Sequence, residues 1–280
     1  MQSNQEENKV KPNILITNDD GINALGIRHL WKALSTIANV TIVAPLTEKS
    51  GSGLSMTLTK PLLIQKVKWD QTLKAYRVNN GTPADCVKLA LNKVLTQKPD
   101  LIVAGINHGS NSGRSVFYSG TVGAIIEGAF RNIPGIAFSC LKGELSAFQL
   151  AEKYIPHIVK YVLENPLSKG SFLNVNFPST DNIKGIKMAR QGLGYWLDHP
   201  VERTHPEGHN YYWLGCKFNP GEKENLESDV HLLEEGYITA VPINLNEATD
   251  MQHFQNERDN FEKSLNNNLS SINTDPEKVL

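Results

Sequence analysis

The first apolar run of the chain, Ile14–Ile16, gives way almost at once to Asn18-Asp19-Asp20-Gly21. A run that short and unbroken is the pattern of a strand buried on both faces of a parallel sheet. Apolar residues then recur at Ile22, Leu25, Ile27, Leu30, Leu34 and Ile37, which predicts a helix over 22–37 with one face against a sheet. Val40–Ala44 is a second buried strand, stopped at Pro45. Strand, helix, strand in that order is a right-handed βαβ unit with parallel strands. Pro61–Val78 alternates irregularly and predicts an antiparallel excursion. Thr82 and Pro83 suit the N-cap and first position of a helix reaching about Val94. Asp100–Gly105 is a third buried strand, and the hydroxyls of Ser119 and Thr121 open an Ala/Gly-rich helix that includes Ala129. Gly135–Ser139 is a fourth strand, Phe148–Leu163 an amphipathic helix, and Phe172–Phe177 a fifth strand ended by Pro178. Beyond it, β-like segments at 185–189, 211–214 and 237–241 are separated by Gly, Pro and polar loops. The expected fold class is α/β: a mostly parallel sheet flanked by helices, with a C-terminal antiparallel β extension. The expected organisation is a polar leader over 1–11, an α/β core over 12–180, a β extension over 181–246 and a tail over 247–280. The tail begins helical; from about Lys263 it is polar and of low complexity, and expected to be disordered.

Composition narrows the class of partner more than the class of fold. At 280 residues and 40% hydrophobic content, the chain suits one large α/β domain or a domain with an appendage. A formal net charge of −1 gives no pull toward duplex nucleic acid or an anionic membrane. The three cysteines, Cys86, Cys140 and Cys216, are widely spaced and form no C-x-x-C pair, which favours a reducing compartment. Met1–Lys11 lacks the apolar centre of a signal peptide, and no apolar run is long enough to span a bilayer. A cytoplasmic protein is expected.

The candidate chemistry sits where the strands end. Asp19 and Asp20 cannot share a ligand inside a strand, where successive side chains point to opposite faces. At the carboxyl end, with Gly21 to turn the chain, both can converge on a hard divalent cation. A solvated Asx turn is an equally good reading of these residues alone. Thr47–Ser55, after the second strand, is rich in Ser and Gly; it suits an anion-binding loop or a flexible surface loop. Asn107 and Asn111 follow the third strand; their carbonyls can complete a hard-ion shell and their amides can donate to phosphate. The free N–H groups at the start of the helix opened by Ser119-Gly120-Thr121 suit an anion as well as a simple cap. No G-x-G-x-x-G opens a helix, which disfavours a dinucleotide.

Five motifs in this order resemble the survival protein E (SurE) family of metal-dependent 5′-nucleotidases. They are N-I-L-I-T-N-D-D-G-I, A-P-L-T-E-K-S-G, N-G-T-P-A-D-C-V, D-L-I-V-A-G-I-N-H-G-S-N-S-G and Y-S-G-T-V-G-A-I-I-E-G. The resemblance spans roughly Pro12 to Leu245, and E-G-Y-I-T-A-V-P looks like that family's final strand. It implies a Rossmann-like core and one divalent cation, Mg²⁺ or Mn²⁺, per subunit. Metal ligands are implied at Asp19, Asp20, Ser50 and Asn107, and phosphate contacts at Asn111, Ser119, Gly120 and Thr121. It also implies homodimers or homotetramers built by exchange of a C-terminal segment, and the apolar stretch Tyr211-Tyr212-Trp213-Leu214 suits such an arm. The chain departs from the family pattern at His108, Ser110 and His205-Pro206-Glu207-Gly208-His209, the last where a basic residue is usual.

The expected reaction is hydrolysis of nucleoside 5′-monophosphates, with Asp19, Asp20, Asn111 and Ser119 as its principal groups. Either an activated water or Asp19 itself can serve as nucleophile. The alternative is a catalytically idle nucleotide-binding module on the same scaffold. His199, His205 and His209 fall in a loop and not on a helix face, and are placed at the rim, close enough to a cleft to influence substrate choice. His108 adjoins a proposed ligand but as a sequence neighbour can point away. Glu127 and the cysteines are assigned to packing.

Overall fold

The computed structural model describes residues 10–69, 73–197, 199–214, 217–221 and 225–272; Cys216 and the tail from 273 lie outside them. The chain forms two units, Met1–Asn244 and Leu245–Leu280.

The first unit is built on a nine-stranded sheet. In chain order its strands and helices begin β1 (Asn13–Thr17), α1 (Leu25–Leu34), β2 (Asn39–Pro45), β3 (Leu63–Val67), β4 (Lys74–Asn79) and α2 (Pro83–Leu89). They continue β5 (Leu101–His108), α3 (Gly120–Ala129), β6 (Gly135–Cys140), α4 (Leu145–Glu164) and β7 (Ser171–Phe177). After these come β8 (Ile186–Met188), β9 (Tyr195–Leu197), β10 (Val201–Thr204), β11 (Asn210–Trp213), β12 (Lys217–Asn219), α5 (Asp229–Glu234) and β13 (Ile238–Asn244). Across the sheet the order is β3-β4-β2-β1-β5-β6-β7-β13-β8. From β4 to β7 all neighbours are parallel, so these strands end at one edge.

Side-chain alternation explains the layers. Ile14 and Ile16 share one core with Ile27 and Leu30 of α1 and Phe148 and Ile155 of α4. Ile102 points to the other face and packs beneath Gly128 of α3. Leu30 is fully buried, so its truncation to alanine costs about 2–5 kcal/mol.

Helix α1 is shorter than its apolar stripe. Gly21 adopts φ +96 and the Ile22 N–H donates to the Pro45 carbonyl at 2.8 Å, so Ile22 is buried in a turn before the helix starts. The predicted helix to Val94 is present, but its last turn, Ala90–Val94, is a π-helix. The excursion is a β3–β4 antiparallel hairpin, with β4 itself parallel to β2.

The antiparallel pairing expected after Pro178 is present, and it is divided between the main sheet and two small sheets. Strand β13 joins the main sheet, antiparallel to β7, and β8 lies parallel to β13. The residues of β13 from Ile238 to Val241 are all buried, and a strand with partners on both sides belongs to a sheet interior. Periodicity shows that a segment is a strand but not which strand it pairs with. Among the described residues only the small antiparallel pairs β10–β11 and β9–β12 stand outside the main sheet.

In the second unit α6 spans Met251–Ile272. The Asp250 carboxylate accepts from the His253 N–H at 2.9 Å and so caps its first turn. The polar run after Lys263, expected as disordered, is helical as far as Ile272. Once a helix is nucleated each added residue brings its own hydrogen bond, so even weak helix formers extend it.

Candidate active site

Five strand ends and the start of α3 converge on one edge of the sheet. Asp19 follows β1 directly and is 3% exposed. Its backbone carbonyl accepts from the Lys49 N–H at 2.7 Å, which fastens the loop after β2 to the end of β1. Its carboxylate accepts hydrogen bonds from both the Thr121 hydroxyl and the Thr121 backbone. Helix α3 approaches closely because it begins with glycines. A Cβ on Gly120 would lie 2.8 Å from the Asp19 Cβ, and one on Gly123 would lie 2.3 Å from the Gly53 carbonyl oxygen. Asp20 is less buried, and its Oδ2 accepts from the His108 N–H at 3.4 Å.

These carboxylates are electrostatically unsettled. Burial pushes the Asp19 carboxyl above its ordinary value, against the lowering effect of Thr121. Burial, then repulsion from Asp19, pushes Asp20 up to about 7. Glu48 adds further repulsion to both, and among the described residues the charged groups that act on the pair are acidic. A pair of like charges, one buried and one half-buried, calls for a cation or a proton.

The expected ligands divide. Asn107 is 9% exposed and donates through Nδ2 to the Gly109 carbonyl at 2.8 Å, which leaves its Oδ1 available. It lies just past a one-residue irregularity, where β5 advances from Ala104 to Asn107 while β6 advances from Ala137 to Ser139. Such a bulge re-aims the side chains that follow it. Ser50 is exposed, and its hydroxyl donates to Glu48 Oε1 at 2.6 Å rather than to either aspartate.

The phosphate candidates are also partly engaged. The Ser119 hydroxyl accepts from the Val122 N–H at 3.2 Å as the α3 N-cap, which leaves its own proton free to donate. The Thr121 hydroxyl proton is committed to Asp19 and cannot serve an anion at the same time. Asn111 is 6% exposed and locked on all sides. Its N–H donates to Asn176 Oδ1 at 2.8 Å, its Nδ2 to the Ser139 hydroxyl at 2.8 Å, and its carbonyl accepts from Asn174 Nδ2 at 2.9 Å. Ser52, beside Gly120, has a buried hydroxyl without a hydrogen-bond partner among the described residues.

Three residues of this edge escaped sequence reasoning. Glu48 lies in the A-P-L-T-E-K-S-G segment, where only its sign could have marked it. Asn176 sits at the end of a strand, in the same position relative to β7 as Asn107 relative to β5. Asp229 is fully buried and ties the loop after Asn111 to the chain near β9. Its carboxylate accepts from the N–H groups of Gly113 at 3.0 Å, Gly192 at 2.8 Å and Val230 at 2.8 Å, while burial raises its pKa.

Comparison with known proteins completes the picture. The model of the family Survival protein SurE matches residues 14–198. The chain belongs to the SurE family. It is 49% identical to 5′-nucleotidase SurE of Protochlamydia amoebophila over 259 residues, 91% of this chain and 99% of that one. It is 45% identical to 5′-nucleotidase SurE of Bacteroides thetaiotaomicron over 83% of this chain and 90% of that one. A crystal structure of the SurE protein from Aquifex aeolicus aligns with a TM-score of 0.75 at 37% identity, covering 87% of this chain and 97% of that one.

Other features of this SurE chain fall outside the strand-end edge. The His108 imidazole lies over Gly143, and it is the backbone N–H of His108 that reaches Asp20. Glu127 is buried between Lys88 and Arg131 and joins α2 to α3. Cys86 and Cys140 are buried free thiols; burial pushes Cys140 up to about 12 and Cys86 well above its ordinary value. The cleft lined by Asn13, Ser35, Asn39, Lys74 and Gln97 opens at the amino ends of the strands, at the opposite edge. No helix among the described residues is long and apolar enough to cross a membrane.

Proposed function

We propose that this chain is a divalent-cation-dependent 5′-nucleotidase that hydrolyses nucleoside 5′-monophosphates to nucleoside and phosphate. The observation that carries the reading is the Asp19–Asp20 pair at the carboxyl end of β1, Asp19 buried and Asp20 half-buried, with Glu48 adding acidic charge and the start of α3 behind it. A site that bound phosphate unaided would replace that pair by neutral or basic groups. The donor set is all oxygen, which fits Mg²⁺ or Mn²⁺ and offers little to thiophilic ions. The names carried by the relatives point the same way.

In this reading Asp19, Asp20 and the Asn107 carbonyl hold the cation, and Ser50 joins them by exchanging its bond to Glu48. When bound, the cation supplies Lewis-acid stabilisation of the charge that develops on the phosphoryl group. Thr121 orients the Asp19 carboxylate. The Ser119 hydroxyl and the Gly120 N–H donate to phosphate oxygens, with Asn111 in the wall that positions them. Asn174, Asn176 and Ser139 hold that wall rigid, and preorganised donors need no rearrangement in the transition state. We place the chain in the cytoplasm, where buried free thiols persist, and expect a homodimer or homotetramer joined through the aromatic arm.

The test is phosphate release from nucleoside 5′-monophosphates, the matching 3′-monophosphates and a simple aryl phosphate, by metal-stripped protein with and without added Mg²⁺ or Mn²⁺. Release that depends on the cation and favours the 5′-esters is expected; full activity after stripping would overturn the reading. No observation in the site favours the idle binding module.

A further inference from the structure

The departure at His205-Pro206-Glu207-Gly208-His209 is the tip of the β10–β11 hairpin. The strands pair Arg203 with Tyr211 and Thr204 with Asn210, and the next pair in that register is His205 with His209. The His205 N–H donates to the His209 carbonyl at 2.8 Å and closes the ladder there. Pro206, Glu207 and Gly208 form the loop. The Gly208 N–H donates to the His205 carbonyl at 2.8 Å, and Gly208 adopts φ +88. That is a type I turn followed by a left-handed residue, with proline and glycine where such a turn favours them. The backbone of the tip is therefore set by sequence, independently of any ligand.

Directly opposed residues in an antiparallel pair point to the same face, with Cβ atoms about 4.5–5.5 Å apart. The two imidazoles accordingly stack, with ring centroids 4.4 Å apart and planes inclined by 15°. Glu207 leans back from the loop, and one of its carboxylate oxygens is 3.9 Å from His205 Nδ1. The backbone N–H of Glu207 donates to the same nitrogen at 3.2 Å, so the lone pair of this ring faces the loop. Ligand atoms of His205, Glu207 and His209 all lie within 4.8 Å of one another.

We propose that this hairpin tip is a second metal site, for a borderline transition cation such as Zn²⁺ or Cu²⁺, held by His205, His209 and Glu207. Two imidazoles and one carboxylate suit such ions and not Mg²⁺, which prefers oxygen ligands. The site thus differs in selectivity from the oxygen-rich edge at Asp19 and Asp20. All three ligands are exposed, so solvent completes the coordination shell. His205 and His209 are four positions apart, but Pro206 and Gly208 put them on a hairpin and not on a helix, and it is the cross-strand register that brings the two rings together.

The experiment is calorimetric titration of Zn²⁺ into the full chain in excess Mg²⁺, for the original protein and for His205→Gln and His209→Gln. Glutamine keeps the bulk and the backbone ladder at an exposed tip, and circular dichroism checks that the fold is retained. The original protein is expected to take up one more equivalent than either variant; identical uptake by all three would overturn the proposal. Loading with Cu²⁺ gives a second readout by electron paramagnetic resonance. Nitrogen splitting from two imidazoles is expected, reduced to one in either variant. A spectrum unchanged by both substitutions would also overturn it.

Discussion

The strand-end edge and the β10–β11 hairpin gather functional groups in opposite ways. At the edge, Asp19, Asn111 and Thr121 are nearly or wholly buried, and residues 28 to 102 positions apart in sequence hold them by hydrogen bonds. At the hairpin, every residue of the His205–His209 cluster is exposed and held by neighbours within four positions. The first arrangement fixes geometry through the whole core and pays in electrostatic strain. The second is local, tolerant of change and independent of the core. Substitutions at the edge should therefore alter chemistry steeply, and substitutions on the hairpin should leave the fold and the core intact.

The sharpest way to break that contrast is Asp19→Asn. It keeps the shape and the contact with Thr121 but removes one charge from the cation shell. Phosphate release should fall at least about a thousandfold while circular dichroism stays native; a nearly original rate would remove Asp19 from the mechanism. Gly123→Ala comes next. Its Cβ would meet the Gly53 carbonyl at 2.3 Å, backbone against backbone, so α3 and the loop after β2 must separate. A displacement of that kind is expected to cost about a hundredfold in kcat/KM, where the same change in an exposed helix would be harmless.

The third prediction concerns pH. The carboxyl of Asp20 is raised from 3.8 to about 7, so the folded chain holds that proton more tightly than the unfolded chain. Through this group the metal-free protein should lose stability as pH rises from about 4 to 7, with no further loss from Asp20 above that. Thermal melts should show this decline, and Mg²⁺ should raise the melting temperature most above pH 7. Asp20→Asn should weaken both effects, with the raised carboxyls of Asp19 and Asp229 left to account for the remainder. The smallest change to the fold is expected on the hairpin. Replacing Tyr211, Tyr212 and Trp213 together by Ser, Thr and Ser should shift monomer stability by no more than about 0.5 kcal/mol per residue. Light scattering should nevertheless show a smaller assembly, because exposed aromatics of this extent belong at an interface. An unchanged mass would move the interface elsewhere.

The same contrast explains what linear inspection could see. In a parallel sheet ligands collect beyond the carboxyl ends, so Asp19, Asn107 and Asn111 could be picked out simply by following their strands. Ser119 and Thr121 were legible as a cap, although only the folded chain shows that Thr121 spends its proton on Asp19. Asp229 was not legible, since its three N–H partners come from chain segments that no local pattern connects. The partners of β13 were hidden for a similar reason: its apolar run identifies a buried strand and leaves its neighbours open. The histidine cluster was hidden because it depends on cross-strand register.

The order of strands across the sheet has a kinetic consequence. The edge draws its groups from the ends of β2, β1, β5, β6 and β7, which are contiguous in space but spread over most of the chain. No partly assembled sheet contains the whole set. During refolding from denaturant, helical signal should return before any hydrolysis, and the first turnover should coincide with docking of β7 beside β6. Enzymatic activity would then serve as a clock for completion of the sheet, silent for every intermediate that precedes it.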